Sequence, residues 1–323
     1  MKKYCVIILT AAFVLMSGCG HAKLYHDMPT LEFDQIEYGF KVEKKVINGT
    51  EVAYYDGTPQ SLRLKKTPLV LIHGLASNMG FWRGVIPELE KRGFRVIAID
   101  LPGYGKSAKA FGAPYTLSFY AKTVHDLLSS LGVPKATWVG HSMGGQISMV
   151  ASLSLPDRIE NLVLVSPAGL ESFKQGEGEW LRNATNPDFI IKTPPDRIRA
   201  NYANNFYSWS ENYEWMIEER VRLIKAKEFE RFAYAVWKSV GAMLDEPVWD
   251  KLDRINFPTL IIAGENDNLI PNPFLHGGKT IDVMKIGEEK IKGSKLIMLP
   301  ETGHMLVIER AKELASEIES FLK

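Results

Sequence analysis

The chain has 323 residues, of which 46% are hydrophobic and 24% are charged, and its formal net charge at pH 7 is +1. This length and hydrophobic content suffice for a folded protein with an ordinary core. The charge is nearly balanced and no block of like charges stands out, so the composition gives no indication of nucleic-acid binding.

Residues 1–20, MKKYCVIILTAAFVLMSGCG, have the order of a secretory signal: two lysines, an apolar run from Val6 to Met16, then small residues. The apolar run is shorter than the roughly 20 residues that cross a bilayer. We expect residues 1–18 to be a signal peptide that is removed on export.

The segment LMSGC at the end of this signal resembles the lipobox of bacterial lipoproteins, in which cleavage precedes a cysteine that becomes lipidated. Leu15 stands one place earlier than that pattern prefers. Cys5 would be removed, so Cys19 would be the one remaining cysteine and could form no internal disulfide. The resemblance implies a lipid on Cys19 and a membrane-anchored protein of the cell envelope. Because Gly20 rather than aspartate follows, it implies the outer membrane in a diderm bacterium.

The chain after the signal alternates between strand-like and helical patterns. Residues 19–45 are mixed and polar, and we interpret them as a tether, whereas 39–57 is typical of a β-hairpin turned at Asn48-Gly49. Short apolar runs bounded by Gly, Pro or Asp indicate strands buried on both faces of a parallel sheet. These runs are 68–74, 94–100, 136–140, 161–167, 258–264 and 294–300, and helical patterns occupy 80–91, 115–131, 143–155 and 305–322. The alternation predicts an α/β fold with helices on both faces of the sheet.

The interval 170–249 interrupts the alternation, because it contains no strand-like run and is helical by pattern. It is rich in aromatic residues, as in NYANNFYSWSENYEW and FERFAYAVW. We interpret it as a helical cap above the carboxyl ends of the strands, where such folds bind ligands. The alternative is a helical segment packed beside the sheet. With 170–249 as the cap, the core comprises 46–169 and 250–323.

Ser142 lies in GHSMGG, between a predicted strand and a predicted helix. G-x-S-x-G in this strand–turn–helix setting is a nucleophile elbow. Gly140 and Gly144 leave space for the tight turn, and the helix start offers free N–H groups and a positive dipole end. We therefore predict that Ser142 is a nucleophile.

A serine hydroxyl needs a base and a group that orients this base, in the chain order serine, acid, histidine. Of seven histidines, only His304 lies between the last apolar strand and the final helix, where it could reach Ser142. The segment LIIAGENDNLIP offers Asp267 and Glu265 as the acid, and we favour Asp267, the shorter residue in the loop. Glu171, after the strand NLVLVSP, is a further candidate.

Acyl transfer also requires donors to the developing oxyanion. The N–H group of Met143, directly after the nucleophile, is one candidate, and that of Leu75, in the loop after PLVLIHG, is the second. His73 and His141 adjoin this loop and the elbow, and we expect them to shape the site.

From about residue 45 to the end, the sequence resembles the α/β-hydrolase family through HGLASNMGFW, DLPGYGKS, GHSMGG, GENDNLIP and GHMLVIER, in family order. The resemblance implies an eight-stranded, mostly parallel sheet with an inserted helical cap. Within the family, VGHSMGGQ, LVLVSPAGLESF and IKTPPDRI resemble monoacylglycerol-lipase-like membrane-associated hydrolases. Dehalogenase and some epoxide-hydrolase relatives carry aspartate at the elbow, so Ser142 argues against these classes.

We therefore expect a serine hydrolase that cleaves carboxylic esters, on monoacylglycerol-like single-chain lipid esters, through an acyl-enzyme. Two alternatives stay open: a carbon–carbon bond hydrolase with the same triad, and a non-catalytic binding lipoprotein. The sequence contains no metal-ligand cluster or cofactor-binding glycine pattern, and GYGKS lacks the spacing of a phosphate loop. We expect no cofactor and no metal.

Overall fold

The computed structural model describes residues 25, 27–57 and 67–323. The predicted signal peptide and the candidate lipidation site Cys19 lie outside these residues, and both stay predictions. Within the described part of the chain, every helix is too short or too polar to span a bilayer.

An eight-stranded sheet in the order β1-β2-β4-β3-β5-β6-β7-β8 forms the centre of the fold. The strands are β1 (Glu43–Ile47), β2 (Thr50–Gly57), β3 (Leu69–Ile72), β4 (Val96–Ile99), β5 (Ala136–His141), β6 (Ile159–Val165), β7 (Thr259–Gly264) and β8 (Lys295–Leu299). Strands β1 and β2 form the predicted antiparallel hairpin, and β2 pairs antiparallel with β4. The remaining neighbours run parallel. The mostly parallel α/β sheet predicted from the sequence is confirmed.

The central strands explain why the sequence shows continuous apolar runs. Every residue of β3, β4, β5 and β7 is buried. A strand covered on both faces has no solvent side, so alternation of polar and apolar residues disappears. Each fully buried Val, Leu or Ile stabilises the fold by roughly 1.5–3 kcal/mol.

Helices cover the sheet, and two of the predicted ones are interrupted. The helices outside the 170–249 interval are α1 (Val85–Lys91), α2 (Leu117–Ser130), α3 (Met143–Ser154), α9 (Thr280–Lys290), α10 (Leu306–Glu309) and α11 (Ala311–Phe321). The predicted helix 80–91 divides into a 3₁₀ turn, Met79–Trp82, and α1, and the predicted helix 305–322 divides into α10 and α11. Both interruptions lie in segments that follow the site loops described below.

Five α-helices lie between β6 and β7, in the interval predicted to be a cap. They are α4 (Gln175–Ala184), α5 (Pro187–Ile191), α6 (Pro195–Ala203), α7 (Glu214–Leu223) and α8 (Phe229–Asp245), and we call them the cap helices. The backbone N–H of Met305 donates to the Asn205 carbonyl at 3.1 Å, after α6. Asn78 Nδ2 donates to Glu219 Oε1 on α7 at 3.0 Å. These contacts join the cap helices to the loops after β8 and β3, at the carboxyl ends of the strands.

The segment 27–42 differs from the tether that we expected over residues 19–45. Its residues Leu31, Phe33, Ile36 and Tyr38 are buried, and Tyr38 Oη donates to Asp100 Oδ2 at 2.7 Å. These side chains belong to the hydrophobic core, although the segment contains no regular element beyond the 3₁₀ helix Phe33–Gln35. The sequence therefore shows no period although the segment belongs to the folded protein.

Candidate active site

Ser142 forms a strained turn between β5 and α3. Its φ and ψ angles are 53° and −117°, and such a conformation costs a non-glycine residue about 1–3 kcal/mol. The turn is held because the Ser142 N–H donates to the Val165 carbonyl at 3.0 Å. A Cβ atom on Gly140 would lie 2.2 Å from the Gly144 carbonyl oxygen, and one on Gly144 would lie 2.3 Å from the Ile72 oxygen. The glycines thus allow the tight contact of strand, turn and helix that exposes Ser142.

Asp267 and His304 form a buried pair. His304 Nδ1 lies 2.7 Å from Asp267 Oδ2, and the second carboxylate oxygen, Oδ1, accepts the N–H groups of Leu269 at 2.8 Å and Ile270 at 3.2 Å. A carboxylate only accepts hydrogen bonds, so the imidazole proton lies on Nδ1 and leaves Nε2 as an acceptor. The pair therefore presents His304 in the tautomer that can receive a proton at Nε2.

The other candidate acids lie elsewhere. The side chain of Glu265 is exposed to solvent. Glu171 contacts Nδ1 of His276 and accepts the N–H of Asn272 at 2.8 Å. Of the three carboxylates considered from the sequence, Asp267 is the one that contacts His304.

Ser142 adjoins His304 through its neighbour His141. The imidazole ring centres of His141 and His304 are 4.9 Å apart, and His141 Nε2 lies 3.0 Å from the His304 carbonyl oxygen. Within the described residues, the Ser142 hydroxyl and the His304 ring form no hydrogen bond. Bonds of this kind are often long in ligand-free proteins and tighten when substrate binds.

The loop after β3, residues 74–79, lies against the elbow, and we call it the oxyanion loop. A Cβ atom on Gly74 would come 3.1 Å from Ser142 Cβ. His73 Nε2 accepts the N–H of Leu101 at 3.1 Å, so its Nδ1–H donates to the Gly74 carbonyl at 2.8 Å. In a trans peptide the carbonyl and the next N–H point in opposite directions. The Leu75 N–H therefore points away from His73.

His73 holds this geometry without titrating near neutrality. Burial lowers its pKa to about 4, although the Gly74 carbonyl acts in the opposite sense. Met143, the other candidate donor residue, is the first residue of α3, where backbone N–H groups have no partner inside the helix. Met143 thus directly follows Ser142 in the chain, and Leu75 follows Gly74, whose Cβ position lies 3.1 Å from Ser142 Cβ.

Arg220 and Glu219 on α7 also contact the oxyanion loop, and the sequence analysis did not single them out. They lie in the charged run EERVR, which is typical of a solvent-facing helix, so no sequence signal separated them from surface residues. Among the described residues, no group of three or more His, Cys, Asp or Glu side chains is arranged to hold a metal ion.

Residues 67–311 match the family model described as the alpha/beta hydrolase fold. A probable hydrolytic enzyme from Pseudomonas aeruginosa PAO1 has a similar structure, with a TM-score of 0.81, 25% identity and coverage of 91% of this chain and 99% of that chain. This chain belongs to the α/β-hydrolase family.

The curated relatives are named for different activities. Lipase 3 of Moraxella sp. (strain TA144) is 29% identical over 261 residues, covering 79% of this chain and 76% of the relative. The 2-hydroxy-6-oxo-6-(2'-aminophenyl)hexa-2,4-dienoic acid hydrolase of Metapseudomonas resinovorans is 30% identical over 266 residues, covering 80% of this chain and 84% of the relative. The chain spans 64% of a further relative, the dihydrolipoyllysine-residue acetyltransferase component of the acetoin cleaving system of Pseudomonas putida, at 29% identity.

Proposed function

We propose that this protein is a serine hydrolase that cleaves carboxylic esters through an acyl-enzyme formed on Ser142. The observation that carries the proposal is the strained turn at Ser142 beside His304, whose Nδ1 is held by Asp267 at 2.7 Å. A serine at an elbow, a base and an orienting acid in this order match the requirements for nucleophilic acyl transfer. Lipase relatives at 28–29% identity support the ester as substrate class.

In this mechanism His304 Nε2 takes the proton of Ser142 while Oγ attacks the ester carbonyl. The Leu75 and Met143 N–H groups donate to the oxyanion, and each donor stabilises the transition state by roughly 2.7–4 kcal/mol. The carbon–oxygen bond of the ester breaks, and the alcohol leaves with the proton from His304. Water then attacks the acyl group, gives its proton to His304 and releases the acid, after which Ser142 recovers its proton.

The nucleophile is tested with a fluorophosphonate probe and mass spectrometry. We expect the probe to label Ser142 in the intact protein, and Ser142→Ala to lose both labelling and ester turnover while keeping its melting temperature, since one hydroxyl is removed from a turn. Absence of labelling in wild type would favour the non-catalytic lipoprotein. Turnover near wild type in Ser142→Ala would exclude this serine as nucleophile.

The substrates in the proposal are monoacylglycerol-like single-chain esters. The interval 170–249 carries many aromatic side chains, and among them Phe206 after α6 and Phe229 and Phe232 on α8 are buried. Each buried CH₂ of an acyl chain contributes about 0.8 kcal/mol, so four more carbons bound in the transition state would raise kcat/KM by on the order of 100-fold. The measurement is kcat/KM for monomeric esters from acetate to dodecanoate. A steady fall with chain length would indicate a short-chain esterase.

The proposal includes a lipid on Cys19 that holds the protein at a membrane of the cell envelope. Its support is the lipobox-like sequence at residues 15–19. Stable anchoring takes two hydrophobic signals, and diacylation with N-acylation would supply more than that. Cys19→Ala should shift the protein from the membrane fraction to the soluble fraction or leave its signal uncleaved. Membrane fractionation unchanged in that variant, with the signal cleaved, would contradict the anchor.

A carbon–carbon bond hydrolase is the second candidate function. The relative from Metapseudomonas resinovorans supports it, because the oxo-dienoic acid in its name has a ketone and no ester bond. The same side chains could attack such a ketone. Assaying one enzyme preparation against the ester series and against a 2-hydroxy-6-oxo-dienoic acid decides between the two, since the preferred class should have the larger kcat/KM.

A further inference from the structure

We infer that Arg220, on cap helix α7, is a positioning residue that holds the oxyanion loop in its active conformation. The inference rests on the proposed function, because Leu75 in this loop is the proposed oxyanion donor. It assigns to the cap a direct part in forming the oxyanion hole, beyond covering the substrate.

The first support is the contact between Arg220 and the loop. Arg220 Nη2 donates to the carbonyl oxygen of Ala76. Ala76 has a φ angle of 54°, a left-handed conformation that costs a residue with a side chain about 1–2 kcal/mol. An external hydrogen bond at this residue therefore stabilises a conformation that the loop would not favour alone.

The second support comes from the neighbouring residue of α7. Glu219 Oε1 accepts a hydrogen bond from Asn78 Nδ2 at 3.0 Å, and Asn78 Oδ1 accepts the N–H of Gly80 at 2.9 Å. Arg220 and Glu219 thus hold two successive points of the loop, Ala76 and Asn78. Burial raises the pKa of Glu219, while the bond from Asn78 and the charges of Arg83 and Arg220 oppose this.

The third support is that α7 is itself fixed at both sides. The Arg220 guanidinium lies 4.7 Å from the ring centre of Phe232 on α8. Trp215, one turn earlier on α7, packs with its ring centre 5.6 Å from that of Phe81 and 3.7 Å from the Arg83 guanidinium. The helix is therefore docked on the segment that directly follows the oxyanion loop.

Two elements consequently hold the carbonyl groups of the residues on either side of Leu75, Gly74 and Ala76. From the sheet side, His73 binds the Gly74 carbonyl at 2.8 Å. From the cap side, Arg220 binds the Ala76 carbonyl. If α7 moves away, Ala76 loses its donor and can leave the left-handed region, and the Leu75 N–H then loses its direction. Cap docking and formation of the oxyanion hole are in this way one event.

The test uses three variants of the full chain. Arg220→Met keeps a long side chain beside Phe232 but removes the charge and the donor, whereas Arg220→Lys restores both a charge and a donor. Arg222→Met is the matched control, because Arg222 lies on the same helix but its Nε donates to the Pro29 carbonyl at 3.0 Å. For each variant we would measure kcat and KM on a monomeric ester, the melting temperature, and hydrogen exchange of the peptide that covers residues 74–79.

In Arg220→Met we expect kcat to fall about 10- to 100-fold with KM nearly unchanged, because a misplaced donor weakens transition-state binding. Hydrogen exchange of residues 74–79 should be faster in this variant. Arg220→Lys should bring both kcat and the exchange rate most of the way back to the wild-type values. Arg222→Met should stay within about twofold of wild type. A kcat within about twofold of wild type in Arg220→Met, or unchanged loop exchange, would overturn the inference. If wild type hydrolyses no ester and Ser142 is not labelled, the proposed function fails, whereas loop exchange still decides the role of Arg220.

Discussion

The imidazole of His141 donates to the carbonyl oxygen of His304 at 3.0 Å, and the two rings are 4.9 Å apart. A carbonyl oxygen only accepts, so Nε2 of His141 carries a proton. Burial, with a smaller effect from His304, lowers the pKa of His141 to about 3, and the ring is therefore neutral near pH 7. The residue before the elbow serine thus fixes the backbone of the candidate base.

Asp267→Asn should lower kcat/KM by on the order of 10³- to 10⁴-fold, because an amide favours the wrong tautomer of His304. The matched control is Glu265→Gln, an exposed residue two positions earlier on the same loop, which should stay near wild type. The measurement is ester turnover of both variants at pH 7.5 to 8. A large loss in Glu265→Gln, with Asp267→Asn active, would reverse the assignment of the acid.

The free energy of unfolding should fall as the pH drops from about 6.5 towards 4. Burial lowers the pKa of His73 to about 4 and that of His141 to about 3. In this range the unfolded chain binds a proton at each site that the native protein does not bind, so acid favours unfolding. Each histidine adds a slope of up to about 1.4 kcal/mol per pH unit, and His73 about 3 kcal/mol in total.

Urea unfolding of wild type and His73→Asn between pH 4.5 and 7 measures this slope. The free energy of unfolding should change more steeply with pH in wild type than in His73→Asn, because unfolding of wild type takes up about one more proton. An NMR titration of the His73 ring in wild type gives an independent result, since the ring should stay neutral down to about pH 4. Parallel slopes together with a titration near pH 6.5 would contradict the prediction.

Glu171→Gln should change the titration of His276 and leave ester turnover near wild type. The His276 ring lies between two carboxylates, with Nδ1 on Glu171 and Nε2 3.3 Å from Glu177. The hydrogen bond to Glu171 is the main cause that raises the pKa of His276. NMR titration should give a lower His276 pKa in the variant, and Glu179→Gln, on α4 like Glu177, serves as control. Loss of turnover in Glu171→Gln would mean that Glu171 has the catalytic role proposed for Asp267.

Tyr38→Phe should destabilise the fold by about 1.5–3 kcal/mol, because it removes a hydrogen bond to a buried carboxylate. Asp100 would keep the N–H groups of Met79 and Lys106, both at 2.7 Å. Urea unfolding measures the change, and Tyr207→Phe, at a half-exposed tyrosine, should change stability by less than about 0.5 kcal/mol. Equal stability of Tyr38→Phe and wild type would support a tether over this segment after all.

The centre of the sheet could be predicted because β3, β4, β5 and β7 are buried on both faces, which leaves a continuous apolar run at each. The loops after β7 and β8 carry Asp267 and His304, and their order in the chain was enough to select both candidates. The interruption between α10 and α11 could not be predicted. At the end of α10 the Glu309 carboxylate accepts the N–H groups of Tyr207 and Gly303 at 2.9 Å, and nothing in the local helical pattern indicates these partners.

The contacts around the oxyanion loop were also beyond sequence analysis. The tautomer of His73 depends on the N–H of Leu101, 28 residues away in the chain. The partner of Ala76 is Arg220, 144 residues away. Arg220 lies outside the family motifs, and Leu101, although it belongs to DLPGYGKS, contributes a backbone N–H that no residue type reveals. A single sequence indicates which residue types carry the chemistry, whereas the residues that orient them follow from the packing of distant segments.

The strand order determines which strands are exposed at the edges of the sheet, and so affects the tendency of the protein to aggregate. Strands β1 and β8 form the edges of the sheet, and each is only five residues long. Both begin with charged residues, Glu43-Lys44-Lys45 in β1 and Lys295 in β8. Short, lysine-bearing edges are poor templates for pairing with a strand of another molecule. The sheet is thereby protected against edge-to-edge aggregation, even where many copies are concentrated together.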